Sequence, residues 1–327
     1  MGGKMTSWSN GWRRSALGRI LRAWVRRPAA GVAIVVLLGT CAASTFPDTT
    51  AGDAGRVRRL GVVGFYNPRL MYMKYQELVD YLSETTGDRW ELAITLHYDE
   101  TVRSLCAGDL DVAYLGPFTY LRAQAACGAR PVVRLNTAGN PTYTSLIMVR
   151  KDSPFKTVGD LRGSVFAFGS PLSTSSHLVP RLMLRDAGLR VGTDIVCSYF
   201  GHHDRAARAV LLGEAAACGV RDIVGERFTG RGLRVLARSS PIPNFPLVVT
   251  PGAPADFRHE LVTALVERPA HDPTVRQRMR GWDVELAGGF APADEKDYLP
   301  VMELVDRVFG RMGLTAPPAK LMCGGSG

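Results

Sequence analysis

The 327-residue sequence lacks the short motifs that identify several large enzyme classes. It contains no G-x-S-x-G, no G-x-x-x-x-G-K-[ST] and no G-x-G-x-x-G after a strand pattern, which disfavours common hydrolases and nucleotide-binding enzymes. Its six cysteines include no C-x-x-C or C-x-x-x-C spacing and do not cluster with histidine, which disfavours a structural zinc site. The sequence therefore predicts neither a metal nor an organic cofactor, and it disfavours an enzyme.

Acidic residues are absent from residues 1–45, which carry seven basic residues. The rest of the chain has 33 basic and 30 acidic residues, so most of the formal charge of +10 belongs to those first 45 residues. A nearly neutral remainder disfavours non-specific binding to nucleic acid. The composition, with 46% hydrophobic and 21% charged residues, excludes a disordered, collagen-like or coiled-coil chain, and the length fits one large domain or two lobes.

The basic stretch is followed by an apolar run at residues 29–45, the pattern of a secretory signal. We expect residues 1–50 to direct export to the periplasm or to the extracytoplasmic face of the membrane. Two modes of retention stay open. The stretch L-G-T-C that ends at Cys41 is similar to a lipoprotein signal, and an apolar run of about 17 residues lies at the lower limit for an uncleaved membrane anchor. A buried N-terminal helix is the structural alternative.

Four cysteines fall into two pairs with the same spacing. Cys106 and Cys127 are 21 residues apart, as are Cys197 and Cys218. Either pair is compatible with a disulfide in an oxidising compartment. The alternative is that all four are small, buried apolar side chains.

Short apolar runs alternate with helical patterns from residue 59 onward, which is typical of parallel β-α-β units. Residues 108–116 follow a helix with glycine, an acidic residue, an apolar strand and a turn. Residues 213–221 repeat this order. The repeat indicates two similar α/β halves.

We therefore predict an α/β fold of two lobes, each a mainly parallel sheet flanked by helices, with a ligand cleft between them. The first lobe covers residues 59–142, with residues 247–310 returning to it, and residues 255–310 are expected to be helical. The second lobe covers residues 143–246, and residues 311–327 form a C-terminal tail. Ligands of such sheets bind beyond the carboxyl ends of the strands.

The most informative stretch for function is Ser173-Thr174-Ser175-Ser176, which follows a predicted strand and opens a predicted helix. Hydroxyls and free backbone N–H groups at a helix N-terminus form a binding site for an anion. An ordinary helix cap is the alternative, although a cap needs only one hydroxyl.

Three further residues follow predicted strands and so lie at the same edge of their sheets. His203 stands between a strand and a helix, where an imidazole with a charge that responds near neutral pH donates to an oxyanion. A surface histidine is the alternative. Tyr98 and Tyr114 are placed to reach the cleft, although aromatic side chains at strand ends are more often core residues.

Four motifs occur in order along the chain: Leu115-Gly116-Pro117-Phe118-Thr119-Tyr120, Ser173-Thr174-Ser175 with Leu178-Val179-Pro180, Gly201 with His203-Asp204, and Ser240-Pro241-Ile242-Pro243. Together they resemble the phosphate/phosphite/phosphonate-binding proteins of ABC transporters, over residues 59–270. The resemblance implies a type II periplasmic-binding fold and delivery of a small oxyanion to a membrane permease by a monomeric protein. It implies that the oxyanion is held by Ser173, Thr174 and Ser175 and that His203 and Tyr98 complete the cage. We also expect Tyr114, Gly116 and Thr119 to contribute to the ligand site.

Two positions depart from that family. Phe245 stands where an acidic residue is common, and phenylalanine cannot accept a hydrogen bond from a ligand. Arg221 follows a predicted strand, where it either forms a bidentate pair with a more fully ionised oxyanion or lies at the surface and bonds to Asp222. Alternative functions are a membrane-anchored sensor of a different small anion and an enzyme that uses the same cleft.

Overall fold

The computed structural model describes residues 56–64, 66, 68–137 and 139–323. The predicted export signal and Cys41 lie outside these residues. Within the described part of the chain, no helix combines the length and the apolar character needed to cross a membrane.

Most strands of the protein belong to two separate sheets. The first sheet has the strand order β13-β4-β12-β3-β1-β2, and the second has the order β10-β6-β9-β7-β8. The strands β5 and β11 pair with each other alone, on the two segments that pass between the large sheets. The strands are β1 Val57–Val63, β2 Arg89–Thr95, β3 Val112–Tyr114, β4 Arg130–Leu135, β5 Thr142–Tyr143, β6 Ser145–Arg150, β7 Val165–Phe168, β8 Val196–Tyr199, β9 Ala217–Arg221, β10 Leu233–Arg238, β11 Ile242–Pro243, β12 Pro246–Val249 and β13 Phe290–Pro292.

The two large sheets share one topology. In each sheet the second, first and third strands of a β-α-β series are parallel neighbours, as β2-β1-β3 and as β8-β7-β9. A crossing strand, β12 or β6, then pairs antiparallel with its neighbours on both sides. Each sheet is therefore mixed rather than parallel throughout. The crossing strand enters from the other half and runs opposite to both of its neighbours.

Helices flank both sheets and begin and end where the local sequence requires it. Helix α2 ends because Gly108 adopts a left-handed φ of 84° and its N–H donates to the carbonyl of Leu105. The helices are α1 Pro68–Thr86, α2 Tyr98–Ala107, α3 Pro117–Cys127, α4 Val179–Asp186, α5 His203–Leu211, α6 Asp222–Thr229, α7 Ala255–Val262, α8 Arg268–His271, α9 Pro273–Arg280, α10 Leu299–Phe309 and α11 Pro318–Leu321. Thr174–Leu178 and Thr263–Glu267 are π-helical, and Val158–Leu161, Glu295–Tyr298 and Gly310–Leu314 are 3₁₀ helices.

Residues 255–310 are not wholly helical, because β13 adds an edge strand to the first sheet there. It pairs antiparallel with β4, with Phe290 opposite Leu135. A strand of three residues is too short to show the alternation of polar and apolar residues that identifies strands in a sequence.

Cys197 forms a disulfide with Cys323, not with Cys218, so that predicted pairing is wrong. The strands that carry Cys197 and Cys218 lie on opposite sides of β7. Two strand spacings are about 9–10 Å, which exceeds the reach of a disulfide. Cys218 is instead a buried thiol, in agreement with the apolar alternative. The other predicted pair is correct, since Cys106 and Cys127 are bonded and join α2 to α3.

The C-terminal segment packs against both halves of the protein. Arg122 of α3 donates hydrogen bonds to the carbonyls of Gly313 and Ala316, each at 2.8 Å. Arg181 of α4 donates to the carbonyl of Leu321 at 2.8 Å. Residues 310–323 are thus held on the first half by hydrogen bonds and on the second half by hydrogen bonds and a disulfide.

Candidate functional site

The start of the helix after β7 is held in place by two of its four hydroxyl residues. The hydroxyl of Ser173 accepts from the backbone N–H of Ser176 at 3.0 Å, which confirms a helix cap. The hydroxyl of Ser176 accepts from Gly169 N at 2.8 Å and donates to Gly219 O at 2.5 Å. Pro180 has no N–H for the carbonyl of Ser176, and the first turn of the helix is π-helical.

Ser175 is the hydroxyl of this run that the fold does not use. Its Oγ is fully buried and has no hydrogen-bond partner among the described residues. The backbone around it is fixed, because the carbonyl of Ser175 accepts from the hydroxyl of Ser145 at 2.7 Å. A buried hydroxyl without a hydrogen-bond partner destabilises the fold. A ligand that accepts a hydrogen bond from it removes that cost, which favours binding.

Thr174, Gly116 and Thr119 meet where the two halves of the protein touch. The hydroxyl of Thr174 accepts from Phe118 N at 2.9 Å, in the first turn of α3. Thr119 Oγ1 donates to Leu172 O at 3.1 Å. A Cβ on Gly116 would lie 3.4 Å from Thr174 Oγ1, so glycine permits this close approach. In this closed arrangement the hydroxyls of Thr174 and Thr119 both have partners within the protein.

His203 lies directly behind Ser173. Its Nδ1 accepts from the backbone N–H of Arg221 at 3.1 Å, so the neutral ring carries its proton on Nε2. Nε2 then donates to Ser173 Oγ at 3.0 Å. Burial, together with the charge of Arg221, lowers the pKa of His203 to about 3. The expectation that its charge responds near neutral pH is therefore wrong: His203 is a neutral group that orients the Ser173 hydroxyl.

Two buried histidines predict a loss of stability in acid. Burial lowers the pKa of His203 and of His177 to about 3, below the ordinary value near 6.5. Between these values the unfolded chain binds more protons, so the stability is complete above about pH 6.5 and is lost as the pH falls toward 3. From pH 7 to pH 5, we expect the free energy of unfolding in urea to fall by about 2 kcal/mol per histidine. His203→Gln should remove about half of this loss, and equal stability at the two pH values would contradict the prediction.

Two tyrosines lie beside the helix start. Burial raises the pKa of Tyr98, and the nearby hydroxyl of Ser173 partly offsets that rise. Burial likewise raises the pKa of Tyr143, which the hydroxyls of Ser175 and Thr174 lower in part. Both tyrosines therefore stay protonated and can donate. The Tyr143 hydroxyl has no partner in hydrogen-bond geometry among the described residues.

Arg221 is almost completely buried, at 1% exposure, so it does not lie at the surface as the alternative had it. The ion pair with Asp222 that this alternative included is present, with 3.9 Å between Arg221 Nε and Asp222 Oδ1. Nη1 donates to Glu285 Oε1 at 2.5 Å and Nη2 donates to Asn244 Oδ1 at 3.1 Å. The guanidinium carbon lies 4.8 Å from the ring centre of Tyr143 and 4.4 Å from that of Phe245. Nε has no hydrogen-bond partner in the described part of the chain. We call the buried polar groups of Ser175, Tyr143 and Arg221 the central site.

Glu285 supplies a carboxylate that the sequence did not reveal. Its Oε1 also accepts from the hydroxyl of Tyr114 at 2.8 Å, so Tyr114 contacts the central site through Glu285. Its Oε2 lies 3.8 Å from Lys74 Nζ, which also pairs with Asp283. Glu285 precedes β13 and lies 64 residues from Arg221, and no local pattern around it signals a buried charge.

A cavity of about 190 Å³ lies on the Tyr98 side of these groups. Residues from both halves and from the C-terminal segment line it, including Tyr98, Leu172 and Pro318. Tyr98 therefore separates the helix start from a space that solvent-sized molecules can occupy.

Comparison with known proteins agrees with this architecture. A family model described as "ABC transporter, phosphonate, periplasmic substrate-binding protein" matches residues 60–298. The chain is 28% identical over 210 residues to the phosphate-import protein PhnD of Mycolicibacterium smegmatis, a match that covers 60% of this chain and 65% of that protein.

Two solved structures are similar in fold. A binding protein component of a phosphonate ABC transporter from Pseudomonas aeruginosa has a TM-score of 0.68 at 20% identity, covering 79% of this chain and 88% of that one. PhnD1 from Prochlorococcus marinus, in complex with methylphosphonate, has a TM-score of 0.69 at 18% identity, covering 78% and 99%. These likenesses confirm the predicted two-lobed α/β architecture. Because the family model spans most of the sequence, the chain belongs to the periplasmic substrate-binding proteins of phosphonate ABC transporters.

Proposed function

We propose that this protein is the extracytoplasmic solute-binding component of an ABC transporter and binds a small phosphorus oxyanion: phosphate, phosphite or a phosphonate. The ligand lies between the lobe of residues 59–142 with 247–310 and the lobe of residues 143–246. The observation that carries this proposal is the buried hydroxyl of Ser175 at a helix N-terminus, which has no hydrogen-bond partner among the described residues. The buried cation of Arg221, which packs on the ring of Tyr143, supports it.

The groups of the central site suit an oxyanion because each of them can donate a hydrogen bond. Ser175 and Tyr143 offer O–H groups, and Arg221 offers its Nε–H, none of which has a hydrogen-bond partner in the described residues. The carboxylate of Asp222 lies 3.9 Å from Arg221 Nε, beyond hydrogen-bond distance. The N-terminus of the helix adds a partial positive charge. Closure of the lobes excludes water, and hydrogen bonds to an anion are stronger in such surroundings.

Binding without turnover follows from this arrangement. The nearest histidine, His203, uses one ring nitrogen on Arg221 N and the other on Ser173, so it is not placed to act as a general base on a ligand. We propose that the closed lobes form the surface recognised by a membrane permease, and that the ligand is released when the lobes open. Export by the N-terminal segment, with retention through Cys41 or through an uncleaved anchor, is part of this proposal.

Thermal-shift measurements on the full chain test the function. We expect phosphate, phosphite or methylphosphonate to raise the melting temperature in a concentration-dependent way, because a ligand that binds only the folded state stabilises it by mass action. Acetate at the same concentrations serves as the control anion. If none of the three phosphorus oxyanions shifts the melting temperature of folded, ligand-free protein, the proposed function is wrong.

A further inference from the structure

The charge that a ligand meets in the central site is that of Arg221. Burial opposes this charge, but Glu285, Tyr114, Tyr143 and Asp222 together outweigh burial and raise the pKa of Arg221 well above its ordinary value. The guanidinium packs on the ring of Tyr143, whose hydroxyl is close enough to Ser175 for that residue to affect its pKa. Arg221 therefore keeps its positive charge, and the side chain of Tyr143 connects it to Ser175 at the start of the helix.

The negative charge nearest to Arg221 is already matched. Glu285 Oε1 accepts from Arg221 and from Tyr114, while Oε2 lies 3.8 Å from the ammonium of Lys74. Asp283 gives Lys74 a second carboxylate partner. A third carboxylate, that of Asp222, lies 3.9 Å from Arg221 Nε and accepts from the backbone N–H groups of Thr144 and Ile223. Among the described residues, a cation entering the site would therefore compete for carboxylates that already have partners.

The second wall of the site is aromatic, and a ring face of Phe245 that could attract a cation already holds the guanidinium of Arg221. Phe245 lies over the guanidinium of Arg221, and its ring also stacks on Tyr114, at 5.2 Å between ring centres. Neutral His203 occupies the other side, with both ring nitrogens bonded within the protein. Among the described residues, the charged groups at the site are therefore the cation of Arg221 and the carboxylates of Glu285 and Asp222, which already pair with it.

We infer that the buried Arg221–Glu285 pair determines specificity, by admitting phosphorus oxyanions with no cationic substituent and rejecting those that carry an ammonium group. This inference rests on the proposed function. It assigns phosphate, phosphite and simple alkylphosphonates as the ligand class and excludes aminoalkylphosphonates.

The test compares two ligands of equal size by isothermal titration of the full chain: propylphosphonate and 2-aminoethylphosphonate, which differ in a methyl and an ammonium group. We expect the aminated ligand to have a dissociation constant about 100-fold higher, the effect of two like charges about 6 Å apart at an effective dielectric constant of about 20. Phosphate and methylphosphonate are measured alongside.

The second part of the test replaces Arg221. In Arg221→Met, Glu285 Oε1 loses its cationic partner and becomes free to accept an ammonium, while Oε2 keeps Lys74 at 3.8 Å, so the preference should fall at least tenfold or reverse. Arg278→Met removes an exposed arginine that pairs with Glu84 and should leave the preference unchanged. If Arg221→Met does not fold, the wild-type comparison still decides.

The outcomes separate the inference from the function on which it rests. Equal binding of the two matched ligands would overturn the inference and leave the proposed function intact. If neither propylphosphonate nor 2-aminoethylphosphonate binds, the site selects ligands by size and not by charge, and the inference is also overturned. Failure of phosphate and methylphosphonate to bind would instead overturn the proposed function.

Discussion

Replacing Ser175 by alanine is expected to weaken the binding of phosphate or methylphosphonate by roughly 10- to 100-fold, the effect of losing one hydrogen bond to a charged group. The same change should leave the ligand-free protein about as stable as before. The hydroxyl is buried and makes no hydrogen bond within the described part of the chain, so its removal breaks no interaction of the fold. Titration calorimetry gives the affinity, and urea unfolding gives the stability.

The next residue provides a matched control. Ser176 uses its hydroxyl within the fold, between Gly169 N and Gly219 O. Ser176→Ala removes the hydroxyl from both backbone groups and leaves Gly169 N only its long bond to the carbonyl of Ser176, at 3.4 Å. It should lower the free energy of unfolding by about 1–3 kcal/mol, while the folded protein keeps most of its affinity. Wild-type affinity in Ser175→Ala would show that the anion binds elsewhere.

Replacing Glu285 by alanine is expected to lower the free energy of unfolding by about 3–5 kcal/mol, because it leaves the buried charge of Arg221 without its counter-ion. Removing one partner of a buried pair costs far more than removing one partner of an exposed pair. The ammonium of Lys74 would retain only Asp283. Urea unfolding at pH 7 measures the change.

Glu84→Gln supplies the comparison for Glu285. Glu84 forms a bidentate ion pair with Arg278, but both side chains are exposed to solvent. We expect its loss to change the stability little. A similarly small effect of Glu285→Ala would contradict the buried pair described here and would remove the basis for the specificity of the central site.

Much of the fold can be predicted from local sequence, because the spacing of apolar residues distinguishes strands from helices. The alternation of apolar runs with helical patterns predicted a β-α-β series in each half of the chain. The glycine at position 108 predicted the end of α2. The crossing strands were harder to interpret. Whether a segment such as β12 pairs parallel or antiparallel depends on its partners, which lie about 110 to 130 residues away.

The helix start was found for the same local reason. Ser173, Thr174 and Ser175 are adjacent, and a run of hydroxyls before a helix is visible in the sequence. Their separate roles were not visible. Ser173 caps the helix, Thr174 bonds to the other half of the protein and Ser175 alone keeps a free hydroxyl, because each role depends on which partner the fold brings within hydrogen-bond distance.

Sequence by itself determined the α/β class, the order of most elements, the membership of the family and the helix start at which we propose that an anion binds. These properties depend on neighbouring residues and on motifs, which the chain carries in every conformation. Tertiary structure alone decided that Arg221 is buried against Glu285, that His203 is neutral and that Cys197 pairs with Cys323. Charge, protonation and covalent pairing at these positions depend on burial and on atoms contributed by distant segments, and folding alone brings those atoms together.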